Sequence, residues 1–217
     1  MKRPTYVTDK ALKQFIKSAL EEDIQSGDHS TLSTIPSDLM QSAKLLVKED
    51  CILAGVELAE IIFKTFDKNL KIEVFIKDGE NAKVGDIAFI VTGKAQSILS
   101  TERLVLNCMQ RMSGIATLTH DWDSRLIGTK TKLLDTRKTT PNFRICEKWA
   151  VSIGGGTNHR YGLYDMIMLK DNHIDYNGSI TNAVKMTQQY LKKNKLKLKV
   201  EVETRNLAEV EEAAKLA

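Results

Sequence analysis

The side chains best suited to chemistry lie between residues 134 and 173. A basic cluster, Asp135-Thr136-Arg137-Lys138-Thr139-Thr140-Pro141, is followed by Gly154-Gly155-Gly156-Thr157-Asn158-His159-Arg160 and by Lys170-Asp171-Asn172-His173. Each borders a short apolar run, which puts the cations at strand ends facing a common pocket. From Lys130 to Lys170 eight Lys or Arg stand against three Asp or Glu, while the rest of the chain is nearly balanced. A pocket of that kind expects a small, highly negative ligand. The Arg137 guanidinium is a planar fork that matches a carboxylate or phosphate, and Lys138 is a point charge. Thr136, Thr139 and Thr140 add neutral donors, as does the start of the helix that follows.

Taken singly, each cluster has a plainer explanation. Arg137 and Lys138 could be solvated loop cations, three glycines usually make a turn, and a lone histidine such as His159 is more often a satisfied loop residue. Asp171 and Asn172 read more readily as caps than as ligands. Three glycines would also let the backbone before Asn158-His159-Arg160 approach a ligand closely. Lys170 ends an apolar run, a position that points into the pocket of a β/α layer. In Val200-Glu201-Val202-Glu203 the alternation puts both glutamates on one side of a strand. That side is costly for carboxylates if buried, unless they are paired or belong to a site; near a strand edge they would stay wet.

The elements that must position these groups are readable from periodicity. Helices are expected over residues 10–22, 55–67, 97–125, 142–152, 179–192 and 207–216, with Gly114 as the weak point of the longest. Strands are expected over 43–49, 71–76, 87–92, 132–135, 166–170 and 196–203, with a polar loop at 23–31. The first half is an α+β unit and the second half alternates as βα units. Only three such units follow residue 130, too few to close a barrel. On the long helix Arg103, Asn107, Gln110, Arg111 and Gly114 share one face, able to cover the mouth of a partner's pocket.

Composition excludes several classes. At 217 residues and 42% hydrophobic the chain can bury one or two cores. Aromatics are 6% and the net charge is +4, unlike a nucleic-acid surface with its broad basic stripe. Cys51, Cys108 and Cys146 form no CxxC pair, which argues against zinc or a disulfide framework. No apolar run approaches a membrane span, and residues 1–5 lead into a charged segment rather than an apolar signal core. The expectation is a soluble, cytoplasmic protein without nucleic-acid or membrane partners.

Residues 22–31, 102–107, 110–117, 135–141, 154–160, 170–173 and 200–203 together resemble the quinolinate phosphoribosyltransferase family, also called nicotinate-nucleotide pyrophosphorylase (carboxylating). Seven motifs in order make the likeness specific. The resemblance implies an α/β protein: an α+β open-sandwich N-terminal domain (residues 1–115, including a dimer-forming helix) and an incomplete, C-terminally truncated β/α barrel domain (116–217) lacking its last strands. It implies transfer of a phosphoribosyl group from 5-phosphoribosyl-1-pyrophosphate (PRPP) to quinolinate with Mg²⁺. The products are nicotinate mononucleotide, pyrophosphate and CO₂, in NAD synthesis. Matched by position, Thr136, Arg137, Lys138, His159, Arg160 and Lys170 are the implied substrate-binding groups. Glu203 is the implied carboxylate near ribose and metal, Lys138, Lys170 and Glu203 the implied catalytic set. Arg103 is the arginine lent to the neighbour in a homodimer or hexamer. The family pattern continues past Ala217 with a second acidic group and phosphate loops. The competing expectations are a same-fold paralogue with another anionic acceptor, an inactive fragment, and a basic anion- or nucleic-acid-binding module.

Overall fold

In the computed structural model, α1 (Asp9–Ile24) begins where the Thr8 hydroxyl accepts the Ala11 N–H at 3.2 Å, and it buries Leu12 and Ile16. The structure describes residues 3–216; Met1 and Lys2, part of the leading segment read above, and Ala217 lie outside it. α2 (His29–Thr34) starts inside the stretch expected to be loop. Its sequence is polar and gives no periodic signal, but the Asp28 carboxylate accepts the Thr31 N–H at 3.0 Å and caps it.

Five strands and a helix follow: β1 (Met40–Leu46), β2 (Cys51–Ile52), α3 (Val56–Phe66), β3 (Lys71–Val74), β4 (Asn81–Ala82) and β5 (Ile87–Lys94). β5 is the centre of an antiparallel sheet ordered β1-β5-β3, and β2 pairs with β4. Ala88, Phe89 and Val91 of β5 are buried, as a central strand requires. β1 lies three residues earlier than expected because its register runs from Met40 opposite Lys94 to Leu46 opposite Ile87. The ladder, not the apolar run, decides its limits. Phe63 of α3 meets Phe89 edge-on, centroids 6.0 Å apart.

α4 (Ala95–Ser124) is one unbroken 30-residue helix. It passes Gly114 without a break, and also passes the expected division between residues 115 and 116. A helical glycine costs about 1 kcal/mol relative to alanine; burial of Met109, Met112 and Ala116 on either side outweighs that. Hydroxyls on α4 satisfy backbone groups of the β2–α3 connection: Ser113 accepts the Ala54 N–H at 3.0 Å, and Thr117 accepts the Ile52 N–H at 2.9 Å. α5 (Arg144–Ile153) packs on α4.

The expected strand at 132–135 reduces to a single parallel bridge between Leu134 and Thr157. The residues on either side of Thr157 are irregular and offer no longer ladder. Next come β6 (Ile167–Leu169), α6 (Asp171–Asn177), α7 (Ile180–Asn194), β7 (Val200–Val202) and α8 (Leu207–Ala214). β6 and β7 pair in parallel, in keeping with βα alternation. β7 is shorter than expected because β6 offers it only three partners. α6 was not expected; its residues are polar and only Ile174 is buried.

Residues up to His159 form one compact unit and those from Arg160 a second. The second has its own core of Leu169, Ile174, Ile180, Ala183 and Val184. Glu212 of α8 staples it by accepting the Thr181 N–H at 2.8 Å and the Thr181 hydroxyl at 2.6 Å. No described helix is long and apolar enough to cross a membrane.

The glycines after α5 serve packing. A Cβ on Gly154 would lie 2.4 Å from the Ala116 carbonyl oxygen and 2.8 Å from Thr119 Cβ, and one on Gly156 would lie 2.9 Å from Thr119 Cγ2. Gly155 takes the turn, at φ 99°. Gly154→Ala should therefore destabilise the unit by about 1–3 kcal/mol; urea denaturation with an unchanged midpoint would contradict so tight an approach of α5 to α4.

Candidate active site

In the first unit the Asp135 carboxylate is the meeting point. Its Oδ1 accepts hydrogen bonds from Lys148 Nζ and from the His159 N–H, the latter at 2.8 Å, while Oδ2 accepts from Asn158 Nδ2 at 2.7 Å. The side chains of Lys148 and Asp135 are only 1% and 5% exposed. Asn158 Nδ2 also donates to the Lys148 carbonyl at 2.8 Å, and its Oδ1 accepts from the Tyr6 hydroxyl at 2.9 Å. Both ends of that amide are thus committed. One buried carboxylate ties the segment leading into Thr136, Arg137 and Lys138 to the segment carrying His159.

A second knot lies at the far end of the basic loop. Glu147 Oε2 accepts the Thr140 N–H at 3.0 Å; Oε1 accepts the Thr140 hydroxyl at 2.8 Å and Arg111 Nε and Nη2 at 3.0 and 2.9 Å. Within the loop the Thr136 hydroxyl accepts the Lys138 N–H at 3.0 Å, and Arg144 Nε donates to the Thr139 hydroxyl at 2.9 Å. Lys138 is exposed and Arg137 half-buried. Arg137 Nε is buried with no hydrogen-bond partner among the described residues. A buried donor in that state costs about 1–3 kcal/mol, which an anionic ligand would recover.

In the second unit Lys170, at the end of β6, donates to Glu203 Oε1 at 2.6 Å, just past the end of β7. Both side chains stay wet, 42% and 46% exposed. The buried alternative for the glutamate pair does not hold: Glu201 and Glu203 are exposed, because β7 is an edge of its two-stranded sheet. The Glu203 N–H donates to the Leu169 carbonyl at 2.8 Å, which sets the carboxylate opposite Lys170. Lys170 caps α6, and its N–H donates to His173 Nδ1 at 2.9 Å. Asp171 and Asn172 open that helix, in line with their reading as terminus residues. Arg160 is half-buried at the start of the unit. Arg103, Asn107, Gln110, Arg111 and Gly114 are all exposed along α4.

The structure thus gathers Thr136, Arg137, Lys138 and His159 around one network in the first unit, and Lys170 with Glu203 in the second. A cleft of the first unit lined by Glu57, Glu60, Lys77, Asp78 and Trp149 holds none of the expected cations. Three carboxylates make it unsuited to an anion. Sequence reasoning missed Lys148, Glu147 and Asn158 as organisers.

Residues 28–113 match the family model for the N-terminal domain of quinolinate phosphoribosyl transferase, and residues 115–217 match that for its C-terminal domain. A probable nicotinate-nucleotide pyrophosphorylase (carboxylating) of Synechocystis is 39% identical over 97% of this chain and 68% of its own. The chain belongs to the quinolinate phosphoribosyltransferase family. Quinolinate phosphoribosyltransferase 1b of Nicotiana tabacum is 50% identical over 99% of this chain. Among solved structures, NadC of Streptococcus pyogenes superimposes with a TM-score of 0.89 at 39% identity, covering 98% of this chain and 74% of that one. The nicotinate-nucleotide pyrophosphorylase of Francisella tularensis gives 0.88 at 35%, covering 100% and 75%. The two-domain α/β fold is therefore that of the family. The chain spans 56–60% of the length of the first plant relatives it matches.

The cytoplasmic location expected from sequence is corrected by the same relatives. Two from Nicotiana tabacum are named mitochondrial, and those of rice and Arabidopsis thaliana chloroplastic. Organelle transit segments have no apolar signal core, so the lack of one does not select the cytoplasm.

Burial acts to raise the Glu147 carboxyl, but the bonds from Thr140 and Arg111 outweigh it and hold the group below the usual glutamate value. A carboxyl lowered by folding adds stability that is fully present above its unfolded value of about 4.3 and is lost as pH falls through the lower folded value. The stability advantage of wild type over Glu147→Gln should shrink as pH drops below about 4. Chemical denaturation at stepped pH measures it, and a gap independent of pH would refute the assignment.

Proposed function

We propose that this chain supplies the quinolinate- and PRPP-binding residues of a phosphoribosyltransferase that releases CO₂ and pyrophosphate and forms nicotinate mononucleotide. The observation carrying the reading is Arg137 Nε, a buried guanidinium donor without an acceptor, in a chain of this family. Quinolinate brings two carboxylates and PRPP a phosphate and a pyrophosphate. Removing that much negative charge from water takes several fixed cations. Thr136, Arg137, Lys138 and His159 of the first unit are proposed to bind these ligands, and Arg160 and Lys170 of the second are proposed as further ligand-binding cations. The division into a sandwich domain (1–115) and a β/α domain (116–217) is proposed with it, supported by family models that end at 113 and begin at 115.

Arg137 would clamp a carboxylate in bidentate fashion, and Lys138 and Lys170 would neutralise charge as phosphate and pyridine approach. As pyrophosphate departs, positive charge grows on the ribose, and Glu203 would stabilise it. Holding the pyridine nitrogen in line with C1 of the ribose makes the step effectively unimolecular. The quaternised nitrogen then stabilises the electron pair left on the adjacent ring carbon when CO₂ departs, and a proton from water completes the C–H bond of the product.

Among the described residues no three His, Cys, Asp or Glu side chains group as a metal cage. Mg²⁺ in phosphoryl sites commonly takes one or two carboxylates and completes its shell with waters and substrate phosphates. Glu203, exposed at a strand end, fits that minimal role. The ion would neutralise pyrophosphate charge.

Incubation with carboxyl-labelled quinolinate, PRPP and Mg²⁺ should release labelled CO₂ alongside nicotinate mononucleotide; another acceptor in its place would leave the label in quinolinate. Arg137→Ala should weaken quinolinate binding by about 2–5 kcal/mol, and an unaltered affinity by calorimetry would remove Arg137 from the site. Lys170→Met should lower turnover as well.

Self-association as a homodimer or hexamer is proposed through α4, whose exposed Arg103 would enter the neighbour's site. Mixing Arg103→Ala with Lys138→Met, each inactive alone, should restore part of the turnover. No recovery on mixing would place Arg103 in its own protomer's site or in none.

A further inference from the structure

Glu147 and Lys148 are adjacent on α5, opposite in charge, and only 6% and 1% exposed. Residues of these types are almost never so buried unless paired. Each is paired, and the partners are telling. Lys148 holds Asp135, immediately before Thr136, and Glu147 holds both the N–H and the hydroxyl of Thr140, immediately after Thr139. The four residues between, Thr136 to Thr139, include Arg137 and Lys138.

We propose that Glu147 and Lys148 are positioning residues: a two-point clamp, rooted in one helix turn, that fixes both ends of the segment presenting Arg137 and Lys138 to the anionic substrate. The inference rests on the substrate reading above, and concerns residues that do not themselves touch substrate. Between Asp135 and Thr140 the backbone has no ladder or helix; the described bonds that cross the segment are short-range, such as Lys138 N–H to the Thr136 hydroxyl. An untethered segment of that kind would have to be ordered by the ligand, at the expense of affinity. With both ends held, the ordering precedes binding. α5 is itself held closely against α4 at Gly154, so the clamp has a rigid base.

The two anchors differ in reach. Through Asp135, Lys148 also governs the His159 N–H, so it sets the loop and the histidine together. Through Arg111, Glu147 reaches the exposed face of α4. Loss of either anchor should loosen its own end of the segment.

The test uses the full chain with Lys148→Met, Glu147→Ala and Glu147→Gln, reading amide hydrogen exchange, melting temperature and quinolinate affinity. Exchange should quicken by roughly tenfold or more at His159 in Lys148→Met and at Thr140 in Glu147→Ala, with amides in the α3 and α4 cores less affected. Glutamine keeps one acceptor for Thr140, so Glu147→Gln should recover part of that protection. Quinolinate affinity should fall by on the order of tenfold to a hundredfold in Lys148→Met and Glu147→Ala. Uniform acceleration across the unit, or unchanged exchange at both amides, overturns the clamp. If Lys148→Met does not fold, the two Glu147 variants decide by the same criteria. If wild type binds no quinolinate, the substrate reading fails, and the exchange pattern alone still tells whether the ends are clamped.

Discussion

The buried Asp135–Lys148 pair is the constraint on which the rest of the first unit's site depends. Taking two such ions out of water costs several kcal/mol each, and their attraction offsets this only when the remaining bonding capacity is filled. Here it is filled: Asn158 Nδ2 and the His159 N–H complete the Asp135 carboxylate, and Tyr6 completes Asn158. Each of these side chains has a partner, so the network favours one arrangement of two chain segments about 20 residues apart in sequence. It contributes little to net stability beyond an apolar equivalent. Its value is placement. Leu134 and Thr157 share only one bridge, so without the carboxylate nothing regular would keep residues 136–138 beside His159.

Placement also explains the glycine-rich stretch. Three glycines before a His-Arg pair suggest a backbone left open for a ligand. Gly154 and Gly156 instead admit α4 at distances no side chain would permit, and Gly155 makes the turn. The approach sets α5, and α5 carries the charged anchors. A motif whose residue types point to ligand contact thus acts one step back, through the rigidity of the helix that positions the contact.

Much of the fold was legible because long elements declare their period. α1, α3, α4 and α7 lie close to where they were expected, β3 where alternation put it, and β5 just after the Gly85-Asp86 turn signal. What was not legible is short or decided by partners. β6 and β7 have three residues each, so pairing limits them, and α6 is polar and recognisable only through its end contacts. Among the candidate site residues, Arg137, Lys138 and Lys170 stood out as cations beside apolar runs, and His159 by its place after the glycines. Glu147 and Lys148 did not, because a charged residue in a helix is assigned to solvent by default. In the structure α5 buries six consecutive residues, Ile145 to Ala150, and a helix covered all round leaves no wet face for its charges. Periodicity alone could not reveal that, since it depends on neighbours the chain supplies 30 or more residues away, as with Arg111.

The two Lys–carboxylate pairs show how burial separates roles that chemistry alone would not. Lys148–Asp135 and Lys170–Glu203 are the same ions at hydrogen-bond distance. The first is almost fully enclosed, and an ion that leaves its partner there must stay unpaired in a medium that solvates it poorly. Lys148 is therefore committed and unavailable to a ligand. The second pair is more than two-fifths exposed on each side, where such pairs are worth roughly 0–1 kcal/mol. Water can solvate either partner when they part, so Lys170 can turn to a phosphate or carboxylate, and Glu203 to a developing cation, at small cost. Arg137 stands between these cases: half-buried, with one donor sequestered and unspent. Within the first unit, Lys148 and Asp135 are thus fixed ions that hold the frame and Arg137 keeps a donor open to an anion, whereas the second unit's Lys170 and Glu203 are loosely paired and can exchange partners.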